Sequence, residues 1–227
     1  MGLKDNIDKV LDNIKETAEK HGRDADEIKL VAVTKYSDTN EILEAYNNGL
    51  DIFGENRVQP ALPKIEKLPN DIEWHMIGHL QRNKVKYVLG KFEMIHSVDS
   101  LRLAKEIQKR AAKMDLTQKI LLEVNVSGEE SKFGLNPKTA AELTGQILEM
   151  PNIHLLGFMT MAPFIGDEKV IANVFKILRL MRDNIETEYA HKFPELSIGM
   201  TNDYKIAIAE GATILRIGSA IFKGDES

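Results

Sequence analysis

Apolar and polar positions along this chain follow two periods that take turns. The opening stretch sets Leu3, Ile7, Val10, Leu11, Ile14 and Ala18 at helical spacing with charges between them and Gly22 as a stop, which predicts an amphipathic helix. Eight short apolar runs of strand character follow, at 30–35, 52–54, 74–77, 94–98, 120–126, 155–161, 196–200 and 214–218. The stretches between them, such as 40–48, 101–113, 139–150, 170–186 and 204–210, return to the helical period and are punctuated by Gly, Pro or Asn. Strict alternation of strand and helix calls for a parallel sheet. Eight such units close into a barrel, whereas an open doubly wound sheet typically carries a Gly-x-Gly-x-x-Gly turn after its first strand. Here Tyr36-Ser37-Asp38 follows instead. The expected fold is therefore α/β, a (β/α)8 TIM barrel with an N-terminal amphipathic helix, and its active face is the carboxyl end of the strands.

Composition narrows the picture. At 227 residues, with no linker, charge block or low-complexity segment, residues 1–227 read as one domain. A formal charge of -5 with evenly spread Lys and Arg offers no basic stripe for a nucleic-acid backbone. The absence of cysteine excludes disulfides, thiolate metal sites and a cysteine nucleophile, and suits a reducing compartment. Residues 1–20 are charged throughout and no later run is long and apolar enough for a bilayer, so a cytoplasmic protein without a membrane partner is expected.

Chemistry enters at the strand ends. Side chains alternate across a strand, so Lys35 shares a face with Val31 and Val33, the lumen face in a barrel. A lysine emerging from an apolar wall is partly desolvated, which favours the free amine that attacks an aldehyde. The plainer reading is a solvated lysine at a strand end. Phosphate sites in such barrels are frequently built by the loops after strands seven and eight with a helix amino terminus. Thr201, with Asn202 or Asp203 as helix cap, stands after the seventh run, and Gly218 and Ser219 after the eighth. Ordinary helix caps are the alternative. An amine and a phosphate cradle on one face suit pyridoxal phosphate.

Arg216, two residues before Gly218, places a permanent cation inside the barrel mouth. It either meets a pyridine nitrogen, which it would keep unprotonated because it can only donate, or forms an ion pair with Glu123 across the lumen. Asn56, ending Phe53-Gly54-Glu55-Asn56, is a ring contact or a turn residue. His75 and His79 straddle a strand end, and with no clustered carboxylate or cysteine a metal site is not expected. Met159, Met161 and Met200 read as packing residues, and Lys132 as a loop lysine or a phosphate-steering group.

At these residues the chain resembles the YggS/PROSC family, the pyridoxal phosphate homeostasis proteins, which look like the alanine racemase N-terminal domain. The resemblance spans nearly the whole chain. It is carried by residues 30–37, 53–56, 74–81, 125–128, 157–161, 197–203 and 216–219. It implies a non-catalytic binder of pyridoxal 5'-phosphate acting in its intracellular homeostasis. Lys35 resembles the lysine that forms the internal aldimine, a Schiff base; Arg216 the ring-nitrogen partner; Asn56 a ring contact; and Thr201, Gly218 and Ser219 the phosphate cradle. Amino acids exchanging at Lys35 and pyridoxal-phosphate-dependent apo-enzymes as recipients are the implied partners, and a monomer is expected. Arg57, Pro60 and Lys223 depart from the family pattern at the rim.

Two enzymes compete with that reading. An amino-acid racemase needs a base on each face of the ring, and the chain's end soon after the eighth run leads us to expect no second domain to supply one. A class I aldolase would use the same amine and phosphate parts with Glu123 as its acid or base.

Overall fold

Eight strands, all paired in parallel, close into a barrel in chain order, with the last strand back on the first. The computed structural model describes residues 2–129, 132–163 and 166–224. The strands are β1 (Lys29–Val33), β2 (Ile52–Glu55), β3 (Glu73–Met76), β4 (Met94–Val98), β5 (Gln118–Glu123), β6 (Ile153–Met159), β7 (Glu195–Ser197) and β8 (Ile214–Ile217). Helices alternate with them: α1 (Leu3–Lys20), α2 (Thr39–Asn47), α3 (Val58–Ile65), α4 (Val85–Val88), α5 (Leu101–Lys113), α6 (Pro137–Leu148), α7 (Glu168–Tyr189), α8 (Tyr204–Ala209) and α9 (Ser219–Phe222).

Local chemistry sets the helix starts. Asp38 accepts from the amides of Asn40 and Glu41 while Glu41 reaches back, a capping box that opens α2. Asn136 caps α6 ahead of Pro137, whose missing amide costs nothing in a first turn. Along α1, Ile7, Val10, Ile14 and Ala18 are buried as expected, but Leu11 is 41% exposed. The buried face of α1 lies on α8 and α9, where Asn6 Nδ2 donates to the Ile221 carbonyl at 3.0 Å.

Strand alternation divides the apolar residues between two cores. Leu30, Ala32, Phe53, Trp74, Met76, Leu122, Phe158, Leu196 and Leu215 pack outward under the helices. Val31, Met94, Leu121, Met159 and Ile214 fill the lumen. Barrel closure is tight enough to dictate residue type. A Cβ on Gly157 of β6 would sit 1.9 Å from the Glu195 carbonyl oxygen of β7, so only glycine fits.

Candidate functional site

The barrel mouth at the carboxyl ends of the strands gathers most of the residues singled out above. Lys35 lies two residues beyond β1, on the face of Val31, but the strand stops at Val33 and the lysine sits in a turn closed by Ser37 N–H donating to Thr34 O at 3.0 Å. It is exposed, not sunk in the apolar wall, which corrects the expectation of a partly desolvated amine. Its Nζ stands 4.9 Å from the ring centre of Tyr36, and Lys223 Nζ lies 5.8 Å from the same ring, so the exits of β1 and β8 abut there.

Directly behind Lys35, the exits of β1 and β2 are pinned together. Lys64 of α3 donates to Glu55 Oε1 and to the Thr34 carbonyl, each at 2.7 Å, and Thr34 Oγ1 donates to Glu55 at 2.8 Å. Glu55 is 1% exposed, so this pair anchors the loop that carries Asn56. Asn56 Oδ1 is buried and meets no hydrogen-bond donor among the described residues. An orphaned buried acceptor is costly, and a ligand's hydroxyl would satisfy it.

The two phosphate-type turns meet. Ser219 Oγ donates to Thr201 Oγ1 at 3.0 Å, so hydroxyls from the β7 and β8 exits share one spot. Among the described residues neither α8 nor α9 has a side-chain cap, although at the β7 exit the Asp203 and Tyr204 amides already donate to the Met200 carbonyl. Asp203 was expected as a possible cap for α8. Instead its carboxylate accepts from Met200 N at 2.5 Å, and burial raises its pKa. Gly218 is explained by β1 as much as by a ligand, since a Cβ there would press on the Val33 carbonyl at 3.1 Å. A cavity of about 730 Å³ lined by Thr201, Asp203, Lys223 and α1 flanks the turns.

Arg216 is inside the lumen and 4% exposed. The ion pair with Glu123 is not made. The guanidinium donates to the Ser197 carbonyl at 2.7 Å, to Ser197 Oγ at 2.5 Å and to the Thr160 carbonyl at 3.0 Å, with donor capacity left over. Burial pulls its pKa down to about 10, against the pull of Asp203 and Glu123, and it stays a cation at neutral pH. Glu123, on the lumen face of β5, is pushed up to about 7 by burial first and by Asp99 second, while Arg216 holds it down.

Elsewhere the histidines separate. His75 is buried in the lumen, whereas His79 lies outside, 3.2 Å from Asp99 and stacked on Phe133 at 4.1 Å. Lys132 pairs with Glu129 at 2.8 Å and reaches Ser127 at 3.5 Å, which makes it a staple of its own loop. The roles of Lys64 and His96, and of Ser197 and Thr160 within the runs 197–203 and 157–161, were not anticipated. Their lumen or helix faces were readable from alternation, but their partners across the barrel were not.

Comparison with known proteins agrees with this geometry. The family model described as alanine racemase, N-terminal domain, matches residues 6–226. A pyridoxal phosphate homeostasis protein from Aquifex aeolicus is 45% identical over 223 residues, covering 98% of each chain. PipY from Synechococcus elongatus, solved with pyridoxal phosphate bound, superposes with a TM-score of 0.81 at 31% identity over 92% of this chain and 99% of its own. An alanine racemase from Clostridium difficile shares the fold at 16% identity and a TM-score of 0.70, but 96% of this chain matches only 59% of that one. A shared barrel, full-length coverage and 45% identity together establish that the chain belongs to the pyridoxal phosphate homeostasis protein family.

Proposed function

We propose that the chain binds pyridoxal 5'-phosphate at the barrel mouth and serves its homeostasis without sustained turnover. One observation carries this reading: an exposed amine at Lys35, an orphaned acceptor at Asn56 Oδ1 and the uncapped Thr201 and Ser219 turns stand at strand ends of the same mouth. The names of the Aquifex aeolicus and Synechococcus elongatus relatives support it. When bound, pyridoxal phosphate supplies an aldehyde that condenses with an amine and a ring nitrogen that accepts a hydrogen bond.

Lys35 Nζ is then the covalent anchor, and its exposure lets amino acids exchange at the same atom. Thr201 Oγ1, Ser219 Oγ and the amides following Gly218 hold the phosphate. Asn56 Oδ1 accepts from a ring hydroxyl, and Arg216 donates to the ring nitrogen and keeps it unprotonated. Passage of the cofactor to apo-enzymes, a cytoplasmic location, a monomeric state and a single unit over residues 1–227 belong to the same proposal.

A second reading, a racemase-like enzyme, draws on Glu123, a lumen carboxyl whose pKa near 7 suits acid–base work. Two measurements decide. Borohydride reduction of the loaded protein followed by peptide mass mapping is expected to place the adduct on Lys35. A label elsewhere, or an unchanged visible band in Lys35→Ala, overturns the anchor. Incubation with alanine and serine in heavy water is expected to give no enzyme-like deuterium uptake at the α-carbon. Sustained uptake that depends on Lys35 would put the racemase first.

A further inference from the structure

A continuous line of hydrogen-bonded polar side chains, buried except at its last member, crosses the lumen beneath the mouth. It runs from Arg216 on β8 to Ser197 on β7, His96 on β4, His75 on β3 and finally Glu73 at the opposite end of β3. The links are Arg216 to Ser197 Oγ at 2.5 Å, Ser197 Oγ to His96 Nδ1 at 2.9 Å, His96 Nε2 to His75 Nδ1 at 2.9 Å, and His75 Nε2 to Glu73 Oε1 at 2.8 Å. Ser197, His96 and His75 are each 0% exposed.

The direction of every bond in this line follows from its two ends. A guanidinium only donates, so Ser197 Oγ accepts from Arg216. The serine's single proton then has His96 Nδ1 as its acceptor among the described groups. A proton on Nδ1 would leave two donors facing each other, or a buried hydroxyl with no acceptor. His96 therefore carries its proton on Nε2, and desolvation, which drives its charged form well below the ordinary range, agrees with a neutral ring. That proton points at His75 Nδ1, which must accept, so the His75 proton sits on Nε2 and is given to Glu73. At the far end the Glu73 carboxylate only accepts, and its bond to His75 holds its pKa below the usual value. Both ends demand the same polarity, and one set of tautomers satisfies them.

We infer that His96 and His75 are positioning residues for Arg216: they commit the Ser197 proton inward, so that Ser197 Oγ offers the guanidinium only lone pairs and fixes the orientation of the N–H groups that face the cofactor ring. Ser197 Oγ and the Thr160 carbonyl hold the guanidinium from two sides. A serine hydroxyl free to rotate would compete with it for acceptors. Glu73, beside a cavity of about 490 Å³ at the amino-terminal end of the barrel, anchors the line where solvent can reach it.

This inference rests on the reading of Arg216 as the cation that meets the cofactor, and the experiment separates the two. Histidine-selective ¹⁵N NMR on the full chain without cofactor, at about pH 7.5, reads the tautomers directly, with His96→Gln used for assignment. Both rings are expected with Nε2 protonated and Nδ1 bare; a protonated Nδ1 on His96 overturns the line whatever the cofactor does. Pyridoxal phosphate titrations then test its effect. His96→Leu is expected to weaken binding about tenfold and to shift the visible band of the bound cofactor, with His96→Gln, which keeps an acceptor and a donor, restoring most of both. In a Ser197→Ala background the same His96→Leu change is expected to add no further loss, because the residue acts through the serine. Equal losses in both backgrounds, or an unchanged affinity and band in folded His96→Leu, would reject the positioning role. Should His96→Leu fail to fold, the tautomers and the comparison of Ser197→Ala with the unaltered chain carry the test: unaltered affinity and band in Ser197→Ala reject it equally.

Discussion

Lys35 and Arg216 are neighbouring cations of one barrel mouth, one just past β1 and the other within the adjacent β8, yet the fold holds them in opposite ways. Lys35 has left its strand, is exposed, and stands over the ring of Tyr36. Arg216 is still within its strand, paired in register with Val31, and donates to Ser197 of the adjacent β7 and to the carbonyl of Thr160 just past β6. A group that must form and release a covalent bond needs access and rotamer freedom. A group that only orients a ring needs a fixed direction, and burial among acceptors supplies that at the cost of desolvating a charge. On the proposed function, Lys35 then serves exchange and Arg216 serves orientation.

That assignment breaks if the two residues matter equally to folding. Arg216→Leu is expected to cost about 3 kcal/mol or more of unfolding free energy, since it leaves the Ser197 and Thr160 acceptors buried without their donor. Lys35→Ala is expected to stay within about 0.5 kcal/mol, as exposed substitutions do. Urea unfolding of both variants without cofactor makes the measurement. A destabilised Lys35→Ala would show that the turn at the β1 exit is structural after all.

Glu123 sharpens the contrast, because it faces Arg216 without bonding to it. Its carboxyl is raised to about 7 in the folded chain from an ordinary value near 4.5. The folded state therefore binds more protons than the unfolded state between those values, and stability falls as pH rises through that window. Above it the charged form costs on the order of 3 kcal/mol. Glu123→Gln is expected to flatten the decline between about pH 5 and 8 and to make the chain more stable at the upper end. Parallel curves for the two proteins would mean that Glu123 is already ionised and solvated.

Much of the barrel was legible because its strands are short apolar runs with little competition. The run 94–98 coincides with β4, and 101–113 with α5. Run 120–126 overshot because Val124, though apolar, leaves the β-ladder of β5 to bridge the loop residue Leu135, whose own amide donates to the Glu123 carbonyl at 2.8 Å. Of the site, the residues at strand exits were readable, since position on a strand fixes the face. The network around Arg216 was not. Ser197 and His96 are 101 positions apart, and alternation says that both point inward without saying that they meet. The pair Glu55 and Lys64 escaped for a different reason: a lysine in the last turn of a short helix is ordinarily solvated, and only the packing of α3 turns it inward.

The smallest expected effects lie at the proposed phosphate turns, where Ser219 is exposed, Thr201 is half-buried and the fold asks little of either hydroxyl. Ser219 Oγ gives its proton to Thr201 Oγ1, so both oxygens already have one partner and neither is needed to close a helix. Ser219→Ala and Thr201→Val should each leave unfolding free energy within about 0.5 kcal/mol. On the proposed cradle each removes one charge-assisted hydrogen bond to the phosphate, an expected loss of about 1.5 kcal/mol or roughly tenfold in affinity for pyridoxal phosphate. Because the two hydroxyls touch, the double variant should lose less than the product of the single effects. Pyridoxal, which lacks the phosphate, supplies the control. It should bind the parent chain weakly and both variants no more weakly still, as fluorescence titrations with the two vitamers would read. If the variants weaken pyridoxal and its phosphate by the same factor, the turns shape the mouth rather than hold an anion, and the division of labour extends no further than Lys35 and Arg216.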